Sequence, residues 1–256
     1  MIHPTAVIHP DAKLDPSVSV GPYAVIDADV ELGPGNKVGP HVYITGVARV
    51  GRNNVIHAGS VIGDAPQDLK YRDAPTRIRI GDENVIREHV TLHRSTTEDG
   101  ETTIGSNNYL MANSHVGHNC RVGDRVIVAN GALLGGHVIV EDNVFISGNC
   151  LAHQFVRIGM LALMQGGSAI SKDLPPYTIA RGDNGICGLN VVGLRRAGFT
   201  NEQRIELKRL YQRLFRCKRK LHDALADAMK EFSSDTAKVM LNFIDASTRG
   251  VCADRG

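Results

Sequence analysis

The sequence predicts a mainly β fold, a parallel β-helix of hexapeptide repeats with about nine to ten coils, followed by a C-terminal α-helical domain. Three observations support this prediction. An aliphatic residue returns every six residues over the first two thirds of the chain, Gly, Asn and Asp crowd the intervening turns, and the period disappears after Pro175. A short fixed period of this kind is the signature of a solenoid.

The six-residue frame starts at Ile2 (IHPTAV, IHPDAK, LDPSVS) and is unbroken to Ile170. It has 29 positions, of which 24 hold Ile, Leu or Val. Because side chains alternate along a strand, a six-residue unit combines a short strand with a turn. Three such units, or hexads, close a triangular coil, and coils stack at the strand spacing of ~4.7–4.9 Å. The frame also places Val116 and Cys120 inside the coil.

Two polar stretches interrupt the repeat and are expected to leave the coil as external loops. They are DLKYRDAPTRIR (68–79) and EDGETT (98–103). With these loops, the β-helix is predicted to span residues 1–190 and the helical domain residues 191–256.

The C-terminal region has the pattern of amphipathic helices. TNEQRIELKRLYQRLF opens with Thr200 and Gln203 at capping-box spacing, and KLHDALADAMKEF and SDTAKVMLNFIDAS predict two more helices. The first of these helices has apolar residues at helical spacing, which are Ile205, Leu207, Leu210, Leu214 and Phe215. The helices are expected to cover the end of the solenoid, which otherwise exposes a sheet edge.

The composition excludes several classes of protein. A net charge of +2 with 22% charged residues is not that of a nucleic-acid-binding protein. Five widely spaced cysteines without a CxxC pair favour free thiols in a reducing cytoplasm. The sequence has neither an apolar run of the ~18 residues needed for a membrane span nor an N-terminal signal peptide. We therefore expect a cytoplasmic protein without stable membrane insertion.

Three histidines recur at close to the length of one coil. His118, His137 and His153 are each separated by about three hexads, so we expect them to form a row on consecutive coils, with His115 one turn before His118. Three imidazoles can bind zinc, as in the γ-type carbonic anhydrases. A general base with neighbouring substrate-binding residues requires less convergence of the three side chains. The spacing alone leaves both interpretations open.

Several motifs resemble, in order, those of the UDP-N-acetylglucosamine acyltransferases that begin lipid A synthesis. They are QDLKY (67–71), REHVTLHR (87–94), NSHVGHNC, LGGHV, AHQF, DLPPY and GLRRAGF. The resemblance implies a homotrimer of left-handed parallel β-helices with active sites between subunits. It implies transfer of an (R)-3-hydroxyacyl group from acyl carrier protein to the glucosamine 3-OH of UDP-N-acetylglucosamine. The donor carries its acyl group on phosphopantetheine, so the resemblance implies neither a cofactor of the enzyme's own nor a metal.

The resemblance also assigns roles to individual residues. It makes His118 the general base and the backbone N–H of Gly136 the oxyanion donor. Gly166 occupies the position that limits acyl length, and a glycine there favours a longer acyl chain. The implied substrate-binding residues are Asp68, Lys70, His115, His137, His153, Gln154, Asn190 and Arg196, with Lys70 at the hydroxyacyl group and Asn190 and Arg196 at the nucleotide.

Three residues depart from the family pattern. Val192 stands where some relatives have Glu near the ribose, and Ala197 replaces an arginine of the GLRRAGF segment. These two substitutions bear on the nucleotide contacts. Asn119 follows His118 where some relatives have Asp.

A basic segment around Arg204–Lys220 is a candidate docking surface for the acidic acyl carrier protein. It contains eight Lys or Arg residues and one acid, Glu206, although such a pattern also describes an ordinary solvated helix face. The eight are Arg204, Lys208, Arg209, Arg213, Arg216, Lys218, Arg219 and Lys220.

Other functions remain as alternatives at this stage. The related N-acyltransferase acting on UDP-3-O-acyl-glucosamine has an additional N-terminal domain, for which repeats beginning at Ile2 leave no room. An enzyme of the same fold could acylate a 3-amino sugar nucleotide. A zinc enzyme like carbonic anhydrase and a non-catalytic scaffold are the remaining alternatives.

Overall fold

The computed structural model describes residues 1–217 and 219–255 and contains three mainly parallel sheets that form the faces of a triangular prism. Sheet I consists, in spatial order, of β1 (Val7–Ile8), β4 (Val25–Ile26), β7 (Tyr43–Ile44), β10 (Val61–Asp64), β13 (Thr91–His93), β16 (His115–Val116), β19 (Leu133–Leu134), β22 (Leu151–Ala152) and β25 (Ala169–Ile170). Sheet II consists of β2 (Lys13–Leu14), β5 (Val30–Leu32), β8 (Val47–Val50), β11 (Arg77–Ile80), β14 (Glu101–Ile104), β17 (Arg121–Val122), β20 (Ile139–Val140) and β23 (Arg157–Ile158).

Sheet III closes the prism and continues into the C-terminal region. It consists of β3 (Ser19–Val20), β6 (Lys37–Val38), β9 (Val55–Ile56), β12 (Val85–Ile86), β15 (Tyr109–Leu110), β18 (Ile127–Val128), β21 (Phe145–Ile146), β24 (Leu163–Met164), β26 (Thr178–Ala180), β27 (Gly185–Leu189) and β28 (Ala253–Asp254). Nine coils result, the last closed by a bridge from Leu174 to Ile158, and a bridge from Ile2 to Val20 begins a further one. The predicted β-helix is confirmed.

The hydrophobic core is a column of the frame residues inside the prism. Ile26, Ile44, Ile62 and Leu92 are buried, one above another in sheet I. The smaller inward positions, such as Ala24, complete each layer.

Val116 and Cys120 are both fully buried, as predicted. Burial raises the pKa of the Cys120 thiol to about 12. A thiol in this state packs as a small apolar side chain rather than acting as a nucleophile.

Both polar interruptions leave the coil at the corner between sheets I and II, called here the I–II corner. The first loop runs from residue 65 to 76, between β10 and β11, and the second from residue 94 to 100, between β13 and β14. The other coils as far as residue 170 pair at a step of three hexads, as in His115 with Leu133. The step grows to five hexads across the first loop, from Val61 to Thr91, and to four across the second. The insertions are therefore whole hexads, which explains why the sequence frame survives them.

The loop boundaries predicted from the sequence were wrong at both ends, because the loops run from residue 65 to 76 and from residue 94 to 100. Residues 77–79 and 101–103 lie in β11 and β14, which pair with each other. Arg77, Arg79 and Glu101 are strand residues whose side chains face solvent, while Ile78 and Ile80 are buried. Polar residues in the alternate positions of a half-buried strand were mistaken for a loop.

Among the described residues, four helices follow the coil. They are α1 (Val191–Arg196), α2 (Asn201–Phe215), α3 (Leu221–Glu231) and α4 (Asp235–Asp245). Thr200 and Gln203 form the predicted capping box at the start of α2. Ile205, predicted to share the apolar face of α2, is 52% exposed. The residues of that face that pack in a second hydrophobic cluster are Leu207, Leu210 and Leu214.

The C-terminus returns to the prism rather than ending in the helices. Strand β28 adds to β27 as the last strand of sheet III, and Cys252 is buried beside it. None of the helices that the structure describes is both long and apolar enough to span a bilayer.

Candidate active site

The I–II corner carries the three histidines that the sequence singled out. Their separations differ slightly from three hexads, so they lie on consecutive coils but in adjacent positions of the turn. His118 lies below Gly136, while His137 lies one residue further along its turn and His153 one residue earlier. The predicted row is thus a staggered group rather than a vertical ladder.

Aromatic contacts hold this group together. The rings of His118 and His137 meet edge to face with centroids 5.2 Å apart, and His137 stacks on Phe155 at 4.4 Å. Asn119, His137 and Phe155 occupy the same turn position on three coils, and each has a positive φ of 61°, 61° and 66°. This left-handed position has a cost in backbone energy that the stacked coils must offset.

The tautomer of His118 is set by the residue that follows it. The Nδ1 of His118 lies 2.8 Å from Oδ1 of Asn119, and an amide oxygen only accepts, so Nδ1 must carry the proton. The Asn119 amide is oriented by the second loop, because Oδ1 also accepts from the Thr96 backbone N–H and Nδ2 donates to the hydroxyls of Ser95 and Thr97. The Nε2 lone pair of neutral His118 is therefore free to accept a proton.

Gly136 lies directly against the His118 ring. A Cβ at position 136 would come within 2.4 Å of Cε1 and 2.5 Å of Nε2 of His118, so any side chain there would displace the imidazole. The Gly136 N–H has no acceptor among residues 1–217 and 219–255. It occupies the third position of its hexad, where six other coil positions have proline, which lacks an N–H: Pro4, Pro10, Pro16, Pro22, Pro34 and Pro40. The coil thus leaves this N–H unused.

The buried His93 and the half-buried His115 form a pair beside His118. Their rings meet edge to face at 4.9 Å, and the Thr91 hydroxyl contacts Nδ1 of His115 at 2.7 Å. Burial, reinforced by the two neighbouring histidines, lowers the pKa of His115 to about 4. Burial also lowers the pKa of His93, so both rings are neutral near pH 7.

His93 was not predicted as a site residue. It is 5% exposed, and its Nδ1 has no hydrogen-bond partner among the described residues. A buried, unpaired nitrogen next to His115 is available to a ligand or water. The histidine of REHVTLHR was visible in the sequence, but its proximity to His115 depends on the longer, four-hexad step that the second loop introduces.

The first loop brings Asp68 to the same corner. Burial and, to a smaller extent, His118 lower the pKa of His137, and the Asp68 carboxylate opposes this shift. Asp68 also accepts from the backbone N–H of Lys70 at 2.8 Å, and the Lys70 side chain is exposed. Both predicted loop residues therefore lie on one short turn beside the histidines.

A groove runs from this corner across the outer face of sheet I. It has a volume of about 550 Å³, and His115, Leu133, Leu151, His153 and Ala169 are among the residues that line it. Leu133 and Leu151 are 43% and 48% exposed, which marks an apolar patch on this face. Gln154 is exposed on the turn next to His153. One wall of the site is thus polar and the adjoining sheet face is apolar.

Three predicted residues lie away from the histidines within one chain. Gly166 is in the turn between β24 and β25, at the opposite end of the sheet I strands, and is exposed. Asn190 caps α1: its Oδ1 accepts from Gly193 N–H and its Nδ2 donates to the Leu161 carbonyl, both at 2.9 Å. Arg196 is exposed at the end of α1.

The described side chains at the I–II corner are not arranged as a metal site. In the described ranges, no group of three or more His, Cys, Asp or Glu residues is placed to hold a metal ion. What the corner offers is an imidazole whose Nδ1 is paired with Asn119 and whose Nε2 has no partner among the described residues, in contact with a glycine whose N–H is unused. Such a pair can remove a proton from a nucleophile and stabilise an oxyanion.

Comparison with known proteins agrees with this geometry. Residues 173–252 match the family model described as UDP-N-acetylglucosamine O-acyltransferase, domain 2, and residues 101–136 match the bacterial transferase hexapeptide model. The chain is 46% identical to the acyl-[acyl-carrier-protein]--UDP-N-acetylglucosamine O-acyltransferase of Herminiimonas arsenicoxydans, with 98% of each chain covered. The chain belongs to the UDP-N-acetylglucosamine O-acyltransferase family.

Solved structures of this family share the whole fold. The UDP-N-acetylglucosamine acyltransferase of Francisella novicida superimposes with a TM-score of 0.96 at 35% identity, covering 100% of this chain and 95% of the other. The family member from Acinetobacter baumannii gives 0.94 at 38% identity and 98% coverage of both chains. By sequence alone, the relative from Alkalilimnicola ehrlichii is 49% identical to this chain, with 98% of each chain covered. The resemblance inferred from the sequence motifs is confirmed.

Gly136→Ala is expected to abolish most of the acyl transfer by displacing the His118 ring. The loss in kcat should approach the roughly 10²–10⁴-fold contribution of a positioned base. Steady-state assays should compare Gly136→Ala in the native background and in His118→Ala, where the missing ring leaves space for the new methyl group. Equal losses in both backgrounds would show that Gly136 does not act through His118.

The depressed pKa of His115 predicts a loss of stability in acid. An unfolded histidine titrates near pH 6.5 and His115 near pH 4, so the unfolded state binds more protons between these values. Stability should fall as the pH falls from 6.5 to 4, by at most on the order of 3 kcal/mol from this residue. Urea midpoints of His115→Gln should therefore depend less on pH in this window.

His222→Gln is the control for this measurement, because the side chain of His222 is 93% exposed and should leave the slope unchanged. Parallel midpoint curves for the native chain and His115→Gln would contradict the prediction.

Proposed function

We propose that this chain transfers a 3-hydroxyacyl group from acyl carrier protein to the glucosamine 3-OH of UDP-N-acetylglucosamine, at the I–II corner. The contact of the His118 ring with Gly136 carries the proposal, because it joins a free Nε2 to an unused N–H. The relatives whose names state this activity support it at 44–49% identity over nearly their full length.

The chemistry follows from these two groups. Nε2 of His118 accepts the proton of the sugar hydroxyl while its oxygen attacks the thioester carbonyl. The Gly136 N–H donates to the oxyanion that forms, and collapse of this intermediate breaks the C–S bond. His118 then returns the proton to the thiolate of the phosphopantetheine, so the reaction balances without another reactant. The Asn119 carbonyl keeps Nδ1–H paired throughout.

The substrates are assigned to the two sides of the corner. The residues that would bind the sugar and diphosphate are Asp68, His115, His137, His153 and Gln154. Lys70 would bind the hydroxyacyl group. The acyl chain would lie in the apolar groove on sheet I, past Leu133 and Leu151. Gly166 lies at the far end of the sheet I strands, where a side chain would limit the length of the acyl chain.

Asn190 and Arg196 are the proposed nucleotide contacts, and the structure favours Arg196 over Asn190. The Asn190 side chain already bonds Gly193 and Leu161, so a nucleotide would have to share it. Arg196 is exposed and makes no ion pair with a described residue. Val192, where some relatives have Glu, is half-exposed on the same helix and offers no polar group.

A homotrimer would complete the site. The outward residues of sheet I and sheet III are largely apolar, and those of sheet II are largely charged. Sheet III presents Val55, Val85, Tyr109, Ile127, Phe145 and Leu163; sheet II presents Lys13, Glu31, Arg49, Arg79, Arg121 and Arg157. Packing face I of one subunit on face III of the next would be a heterologous contact, and a ring of three subunits formed in this way would roof the sheet I groove.

The docking surface for acyl carrier protein is narrower than the basic segment around Arg204–Lys220. Three of its cations serve the α2–α3 contact: Arg209 and Arg213 pair with Glu231, and Arg213 and Arg219 with Asp227. Lys218 lies outside the described residues.

Arg216 pairs with Asp254. Lys220 makes no ion pair in the described ranges but lies apart, at the start of α3. The remaining candidates are Arg204 and Lys208 of α2, which likewise make no ion pair with a described residue. They line a groove of about 530 Å³ with the exposed Ile205 and with Arg195 from α1. Their charges are therefore available to an acidic partner.

The proposal includes a cytoplasmic location and the absence of a cofactor. An acyl carrier protein and a sugar nucleotide are available to a cytoplasmic enzyme, and the step at His118 and Gly136 uses no metal and no cofactor beyond the donor's phosphopantetheine. The competing functions are that of a zinc enzyme like carbonic anhydrase and acylation of a 3-amino sugar nucleotide in place of the 3-OH.

The deciding assay incubates the purified chain with UDP-N-acetylglucosamine and hydroxyacyl carrier proteins of several lengths. We expect transfer that EDTA leaves intact and that falls roughly 10²–10⁴-fold in His118→Ala. We also expect a shorter preferred acyl chain in Gly166→Met. A parallel arm replaces the acceptor by its 3-amino analogue. Faster amide than ester formation, or near-full activity of His118→Ala, would overturn the proposed reaction or its base.

Docking is tested with the double variant Arg204→Ala/Lys208→Ala. Its KM for the acylated carrier protein should rise roughly 10-fold and lose most of its salt dependence, because screening acts on exposed charges. The KM for a small acyl-pantetheine donor should not change. Arg209→Ala is the matched control on the same helix, since Arg209 faces Glu231. Similar KM increases in both variants would contradict a specific docking face.

A further inference from the structure

Arg94 connects the two loops at the I–II corner. It is the first residue of the second loop, and its guanidinium reaches the first loop one coil below. Nη1 donates to the Gly63 carbonyl at 2.9 Å and Nε to the Tyr71 hydroxyl at 3.3 Å. The guanidinium carbon also lies 5.6 Å from the centroid of the Tyr71 ring, within cation–π range.

The backbone around Arg94 is shaped to accept it. Gly46 has a φ of +64°, and a Cβ there would lie 3.1 Å from both Cδ and Nη1 of Arg94. Gly63 has a φ of +79°, and a Cβ there would overlap the Thr45 carbonyl oxygen. The pairing of β10 with β13 shifts register at this point, immediately after Ile62. Two glycines and a bulge thus open a slot that the Arg94 side chain fills.

The first loop has few other contacts that hold it. Near its C-terminal end, the Pro75 carbonyl accepts from the Asp99 N–H of the second loop at 3.2 Å. From residue 66 onwards its other side-chain hydrogen bonds are internal, as between Tyr71 and the Ala74 carbonyl, and Leu69 is 97% exposed. Within the part of the chain that the structure describes, the bond from Arg94 to Tyr71 is the one side-chain hydrogen bond that joins residues 66–76 to the rest. The Pro75 bond holds only the end of the loop, so the position of its middle, and with it that of Asp68, depends mainly on Arg94.

We propose that Arg94 is a positioning residue that fastens the first loop to the I–II corner, so that Asp68 and Lys70 meet the substrates. The contacts of Arg94 with Gly63 and Tyr71 support the fastening of the loop, whereas its effect on substrate binding rests on the proposed function. Arg94 acts through Tyr71 and takes no part in proton transfer. Loss of Arg94 should therefore weaken binding of both substrates while leaving the chemistry at His118 largely unchanged.

The fastening is tested by hydrogen exchange on the full chain without substrate. Arg94→Met keeps the aliphatic stem and removes the donors, and Tyr71→Phe removes only the hydroxyl. We expect amides of residues 66–75 to exchange at least about 5-fold faster in both variants, with Arg94→Lys in between, because a lysine lacks the planar fork. Glu98→Gln, at the exposed tip of the second loop, is the control. Unchanged exchange in Arg94→Met would overturn the proposal.

The kinetic test uses the same variants. The KM values for the sugar nucleotide and the acylated carrier protein should rise about 5- to 20-fold in Arg94→Met, as expected for a lost hydrogen bond and cation–π contact. The kcat and the acid limb of its pH profile should stay near those of the native enzyme. Arg94→Met/Tyr71→Phe should lose little more than Arg94→Met alone, since both residues form one contact.

Two outcomes separate this proposal from the proposed function. Faster exchange without any change in KM would overturn the role of the loop in substrate binding. A shift of the acid limb of the pH profile of Arg94→Met, or a loss of kcat without a change in KM, would show that Arg94 acts on the His118 base and not on the first loop. Failure of the general-base assignment would appear only in His118→Ala and would leave the exchange result intact.

Discussion

Backbone pairing between coils at a fixed step of three hexads is the constraint on which the rest of this structure depends. Each frame residue pairs with its equivalent in the next coil, so the inward positions form one continuous core. Side chains with chemical functions are thereby confined to the outer faces and the corners. A turn position also repeats in every coil, so whatever occupies it lies about 4.8 Å from its neighbours. That spacing brings the His118 ring against Gly136 and stacks His137 on Phe155.

The same constraint concentrates the departures from regularity at one corner. Both loops leave the coil between sheets I and II, directly below the turns that carry His118 and His137. The second loop orients Asn119, which fixes the His118 tautomer, and Arg94 links this loop to the first. The rigid coil therefore supplies position, and the two loops supply the polar contacts that a coil built on hydrophobic repeats cannot provide.

Much of this arrangement could be predicted from the sequence because the frame is a one-dimensional pattern. The inward positions, the capping box at Thr200 and the presence of two loops all follow from local spacing. The stagger of the histidines, the proximity of His93 to His115 and the contact of Arg94 with Tyr71 do not. These contacts depend on which residues face each other across coils once the two loops have been inserted. The ends of the two loops could not be read from the sequence, because the strands that follow them alternate polar and apolar residues.

The lengths of the two loops have a consequence for how such a molecule can change over evolutionary time. Each loop starts and ends at the same corner, and the coil resumes regular strand pairing after it. A loop can therefore be lengthened, shortened or exchanged with that of a relative without disturbing the packed interior. The residues of the two loops and those of the packed interior are thus inherited on separate parts of the chain, so the loop contacts at the corner can vary while the interior is conserved.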